Sequence, residues 1–129
     1  MIFPFIEIKE SPHKGLGVFA TKLIEEGTLI EVSPVIVLSP QDTKIIDATH
    51  LYNYYFSWED DQKSSAIALG YVSLYNHQVN SNCIYETYFE EKVIRIITRK
   101  EILKGEELSI NYNHDPMSDD ATWFELKED

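Results

Sequence analysis

A mainly β, single-domain fold is what this chain predicts, and three observations carry the prediction. Short runs rich in β-branched and aromatic residues recur along its 129 residues, separated by turn formers at close spacing. Hydrophobic residues make up 43% and aromatic residues 12%, enough for a core and far from a disordered composition. The best helix candidate, Asp42 to Thr49, is short. At this length one domain is expected over 1–129, with a core of useful size.

The elements follow in order. Phe3, Phe5 and Ile8 belong to an extended N-terminal segment. In Ser11 to Ala20 (SPHKGLGVFA), Ser-Pro and two glycines mark a tight turn, and Val18-Phe19 begins an apolar strand. Glu25-Glu26-Gly27 is a turn. Leu29 to Leu38 reads as a strand pair or one bent strand, broken at Pro34. Asp42 would cap the helix, with Ile45 and Ile46 on its apolar face. Leu51 to Trp58 (LYNYYFSW) is aromatic enough for a strand. Glu59 to Ser64 is a charged loop, and Ile67 and Leu69 start another strand. Ile84 to Phe89 and Lys92 to Thr98 read as a hairpin around Glu90-Glu91. Lys104-Gly105 is a turn, Leu108 to Tyr112 a last short strand, and the tail is polar apart from Met117 and Trp123-Phe124-Leu126.

Composition narrows the function classes. The formal charge is -11, from 22 acidic and 11 basic residues. Direct binding to nucleic-acid phosphates is disfavoured, and a basic protein or peptide is the better partner. Apolar runs fall short of the roughly 18 residues of a membrane span, and Met1 to Glu10 lacks the basic start and small-residue cleavage site of a secretory signal. With Cys83 as the single cysteine, an intrachain disulfide is excluded and a reducing, intracellular compartment is expected. Cys83 with His13, His50, His77 and His114 forms no zinc spacing, so no metal site is expected.

The stretch Gly70 to Cys83 (GYVSLYNHQVNSNC) stands out. Its apolar half ends on Asn76-His77, and its second half is small and amide-rich. Short amides compete with the backbone for hydrogen bonds, so a loop returning to the core is expected, with His77 half-buried and satisfied. Two further pieces accompany it: Lys14-Gly15-Leu16-Gly17, where glycines let the backbone approach a ligand closely, and Gly105 to Tyr112 (GEELSINY), a turn and strand ending on tyrosine. The glycine pair lacks the third glycine, preceding strand and following helix of a dinucleotide fingerprint.

In this order and spacing the three pieces closely resemble the SET domain of protein lysine methyltransferases, over about residues 7–112. The short length and the run LYNYYFS…SAIALGYVSLYNH look most like the minimal viral-type SET proteins. The resemblance implies short strands in small sheets, few short helices and a knot-like crossing of 70–83 with the last motif, the tail 113–129 completing the site. It also implies transfer of a methyl group from S-adenosylmethionine to a lysine amine of a basic substrate, histone-like or other. Lys14, Gly15, Leu16 and Gly17 would lay their backbone against the cofactor, Asn76 would hold its methionine part, and His77 would offer backbone groups to the adenine. Tyr54 would line the methyl-transfer pore and Tyr112 would be the catalytic tyrosine. Trp123 and Phe124 would close the C-terminal side.

The chain departs from the family pattern at Gln78 (usually Ser), Ser81 (Pro), Asn113 (often Gly) and Ile110 (Phe or Tyr), the last implying room for more than one methyl. The minimal relatives imply a homodimer, with Trp58, Tyr55 or the Trp123-Phe124 cluster as contact, and a cytoplasmic location, or the host nucleus for a viral protein. A non-catalytic SET-like module binding basic peptides and a purely structural β-domain are the competing readings. Cofactor binding with turnover separates the enzyme from the binding module, and the structural domain would bind no cofactor.

Overall fold

The computed structural model describes residues 1–12, 15–59, 63–113 and 116–118. Two small sheets share one core. In the first, strands β1 (Ile6–Ser11) and β2 (Gly15–Ala20) form an antiparallel hairpin. Gly15, opposite Ser11 and with φ +78, closes the reversal as the turn signal predicted, whereas Gly17, opposite Lys9, lies inside the strand.

Strand β3 (Leu29–Leu38) runs unbroken through Pro34. Up to Pro34 it pairs with β8 (Val93–Thr98), and from Val35 it pairs with β5 (Ser65–Ala68). Proline has no N–H for a ladder, so it sits where one neighbour hands over to the other. Its carbonyl still accepts the Leu69 N–H at 2.9 Å.

Helix α1 spans Pro40–Ile46, earlier and shorter than expected. Ser39 is the cap, its hydroxyl accepting the Asp42 N–H at 3.1 Å, and Pro40 opens the helix. Asp42 occupies the first turn, where its charge suits the helix dipole. The aromatic run after it is not a continuous strand. Thr49 caps a 3₁₀ turn, His50–Asn53, and only Phe56–Ser57 (β4) joins the sheet. Local capping overrode the strand preference of the aromatic side chains.

β7 (Cys83–Tyr88) and β8 form the predicted hairpin. The five-stranded sheet runs β4-β5-β3-β8-β7. The other sheet runs β1-β2-β9-β6, with β6 at Asn76–His77 and β9 at Glu107–Ile110. Val18, Ile30, Ile94, Ile96, Ile102, Leu108 and Ile110 are fully buried between them. Each such side chain contributes about 2 kcal/mol through its area removed from water. Trp58 belongs to this interior too, 2% exposed and edge-on to Phe89 at 5.0 Å. It is core rather than a surface for a second subunit. Among the described residues no helix is long and apolar enough to cross a membrane.

Candidate active site

The site is built where β2, β6 and β9 meet. Asn76 and His77 form a two-residue strand, not a loop, parallel to β9 with Asn76 beside Ser109 and His77 beside Ile110. Pairing with a neighbour satisfies backbone groups that a polar turn would have left to side chains. The Asn76 amide donates to the Leu16 carbonyl at 3.1 Å and to Glu107 Oε2 at 2.7 Å. Glu107 Oε1 accepts the Ser11 hydroxyl at 2.7 Å. A Cβ on Gly17 would strike the Glu107 carboxylate and come within 3.1 Å of Asn76 Nδ2. Glycine is required there by this close approach.

Tyr112 is held at three atoms. Its N–H donates to His77 Nδ1 at 3.0 Å, its carbonyl accepts the Tyr85 hydroxyl at 3.2 Å, and its own hydroxyl donates to the Tyr75 carbonyl at 2.6 Å. His77 is half-buried and satisfied, as expected, with its ring 5.1 Å from that of Tyr112. Since Nδ1 accepts, the ring proton of the neutral imidazole is on Nε2. Burial pushes the Tyr112 phenol well above its ordinary range, and Tyr54 and Glu107 nearby push it the same way.

Tyr54 ends the 3₁₀ turn, 37% exposed, its carbonyl accepting the Ser73 hydroxyl at 2.8 Å and its ring 5.2 Å from that of His50. The fold thus gathers Gly15, Leu16, Gly17, Asn76, His77, Tyr54 and Tyr112 in one region. Lys14, Trp123 and Phe124 lie outside the described residues. Among the described residues no three His, Cys, Asp or Glu side chains gather as a metal ion would need.

Several residues that shape the site were not singled out from the sequence. Glu107 and Tyr75 are described above. Asn82, 8% exposed, spans to β9, its amide donating to the Glu107 carbonyl at 2.9 Å and its oxygen accepting the Ser109 N–H at 2.8 Å. Asn111, 2% exposed, donates to the carbonyls of Pro116 at 3.3 Å and Ser118 at 2.7 Å. The common signal of Glu107, Asn82 and Asn111 is an amide or carboxylate inside an otherwise apolar strand or its edge. Ile110 is fully buried, a member of the core.

A family model described as the SET domain matches residues 15–113. This chain belongs to the SET domain family. It is 33% identical, over 93% of its length and 77% of the relative's, to the histone-lysine N-methyltransferase, H3 lysine-37 specific, of Schizosaccharomyces pombe. It is 31% identical to the histone-lysine N-methyltransferase trr of Drosophila melanogaster, over 85% of this chain but 5% of that much longer protein. Among solved structures, a Plasmodium falciparum candidate histone methyltransferase matches at 26% identity and a TM-score of 0.66, covering 88% of this chain and 97% of that one. A Chaetomium thermophilum Polycomb Repressive Complex 2 bound to S-adenosylmethionine shares the fold at a TM-score of 0.69 and 21% identity, over 83% of this SET domain and 15% of that chain. As a SET-domain protein, the chain is placed with the protein-lysine N-methyltransferases.

Proposed function

We propose that this SET domain transfers methyl groups from S-adenosylmethionine to the side-chain amine of lysine in a basic protein, histone-like as the names of its relatives indicate. The observation that carries the reading is the Tyr112 hydroxyl against the Tyr75 carbonyl, beside the Gly15–Gly17 strip and Asn76. The site's own atoms fit the cofactor. The carbonyl oxygens of Leu16 and Tyr75 and the Glu107 carboxylate present negative charge suited to an ammonium or sulfonium, and Gly15, exposed at the end of the strip, leaves its side of the approach open. Lys14, Gly15, Leu16, Gly17, Asn76, His77, Tyr54 and Trp123 are assigned to holding it, Tyr112 and Tyr54 to the transfer itself, and 113–129 to completing the site within a single 1–129 domain.

When bound, that cofactor supplies a methyl already activated by its sulfonium. The protein is left with alignment and charge handling. The Tyr112 hydroxyl spends its proton on the Tyr75 carbonyl, so its lone pairs remain to accept from an amine or a polarised methyl C–H. A phenol held neutral by burial does not take the proton of the substrate ammonium, which must be lost before transfer. Tyr54 and Tyr112 also offer aromatic faces to the cationic product. The acidic surface steers a Lys/Arg-rich segment towards the site.

The resemblance to minimal viral-type members supports a homodimer, and the lone buried Cys83 supports a reducing compartment, the cytoplasm or a host nucleus. The test is calorimetric titration with S-adenosylhomocysteine, followed by turnover on basic peptides including histone H3 segments. One micromolar site per chain with methyl transfer is the expected result. Peptide binding without cofactor would mark a non-catalytic module instead.

A further inference from the structure

Glu31 is the one acidic side chain fully buried among the described residues, and it lies on β3, in the sheet away from the glycine strip. All three groups that hold it are neutral. The Ser33 hydroxyl and the Tyr71 N–H (2.7 Å) donate to Oε2, and the Tyr75 hydroxyl (3.0 Å) donates to Oε1. A buried carboxylate held without an ion pair is costly, and an apolar residue of similar volume would stabilise the fold more. Its place in the interior therefore asks for another account.

The geometry supplies one. A single carboxylate grips both ends of the segment Tyr71 to Tyr75, which contains the 3₁₀ turn Val72–Leu74. The last carbonyl of that segment, Tyr75 O, is the acceptor of the Tyr112 hydroxyl. The entry to the segment is shaped around the same carboxylate. Gly70 has φ +145, and a Cβ there would strike both Glu31 Oε2 and the Ser33 hydroxyl.

We infer that Glu31 is a positioning residue for methyl transfer, fixing through Tyr71 and Tyr75 the carbonyl against which the Tyr112 hydroxyl is set. The inference rests on the functional reading above. Glu31→Gln keeps size but turns an NH2 group towards one of the donors. The amide oxygen stays with the Tyr71 N–H, which can only donate, and the NH2 falls to the Tyr75 hydroxyl, which must turn round to accept, so the Tyr75 end of the segment loses its charged acceptor and shifts.

The test uses the full chain. In Glu31→Gln, kcat should fall about 10- to 100-fold, the scale of a misplacement near one ångström. The KM for peptide and the affinity for S-adenosylhomocysteine should stay within about twofold, as for loss of a group that acts only in the transition state. In resting protein labelled with ¹³C at tyrosine Cζ, the signals of both Tyr75 and Tyr112 should move. A folded Glu31→Gln with wild-type kcat, or with the Tyr112 signal unmoved, overturns the inference. If Glu31→Gln does not fold, Tyr75→Phe, which frees one end of the segment, is read by kcat and by the Tyr112 signal alone, a fall and a shift supporting the inference and wild-type kcat or an unmoved signal overturning it. If the wild-type chain methylates nothing, the functional reading falls, and the Tyr112 signal still decides whether Glu31 positions that hydroxyl.

Discussion

The hydroxyl of Tyr112 donates to the main-chain carbonyl of Tyr75 across 37 residues of sequence, at 2.6 Å. That one bond joins the end of the last strand to the end of the 3₁₀ segment before Asn76-His77. It sets the phenol's orientation before any substrate arrives.

Tyr112→Phe removes this bond and the oxygen that would face the transferring methyl. Turnover should drop by about 10²- to 10³-fold, the usual cost of deleting one preorganised polar group at a reacting centre. Melting should shift little, since one hydrogen bond contributes about 1 kcal/mol net. Cofactor affinity by calorimetry should be unchanged. Full activity in the variant would remove Tyr112 from the chemistry.

Asn76→Ala strips the Glu107 carboxylate and the Leu16 carbonyl of their shared donor. Cofactor affinity should weaken by about tenfold or more, the equivalent of about 1.4 kcal/mol. The stability loss should be in the same range of about 1–3 kcal/mol that a stranded polar partner costs. Unchanged binding of S-adenosylhomocysteine with a lowered melting temperature would make Asn76 purely structural.

Alkaline solution should destabilise the fold. Burial raises the ionisation of Cys83, Tyr75, Tyr85 and Tyr112 above their ordinary values of 9.0 for the thiol and 10.0 for the phenols. Above those values the unfolded chain loses protons that the folded one keeps, so it binds fewer and stability falls with rising pH. Denaturant midpoints should be insensitive to these groups below about pH 8.5 and decline from about pH 9 upward. Midpoints flat to pH 11 would mean these groups ionise as readily in the fold as outside it.

Asn111→Ala should loosen the segment after the last strand. The Asn111 amide holds the Pro116 and Ser118 carbonyls, and the Pro116 carbonyl also accepts the N–H groups of Asn80 (2.7 Å) and Ser81 (3.4 Å). Limited proteolysis should cut after Tyr112 at least about tenfold faster in the variant, for a loss of about 1.4 kcal/mol in local opening. Equal cleavage rates would show that the backbone bonds from Asn80 and Ser81 suffice.

What the sequence disclosed, and what it hid, has a physical pattern. The β7–β8 hairpin was legible because Ile84 to Thr98 alternates around an acidic turn. The family motifs were legible because Gly17, Asn76 and Tyr112 meet requirements that few other residues meet. The aromatic run at Leu51 misled, since its fate depended on the Thr49 cap and on partners far along the chain. Glu31 was invisible for the same reason: its three donors come from 33, 71 and 75, and nothing local marks a glutamate in a β-branched strand as buried. The Ser81 departure gained a meaning only in three dimensions. Its N–H, which a proline would lack, reaches the Pro116 carbonyl, so the turn is secured by a bond instead of a ring.

The strand order β1-β2-β9-β6 has a consequence for synthesis on the ribosome. Every strand of the five-stranded sheet has been made once Thr98 is added. In the other sheet, β6 reaches β2 only through β9, so until Glu107 to Ile110 emerge, Asn76 and His77 have no strand beside them. Domains emerge from their N-terminal side at about 5–20 residues per second. The nascent chain therefore passes through a period with half its architecture available and its chemistry impossible, and that period ends only when β9 emerges to lie between β2 and β6.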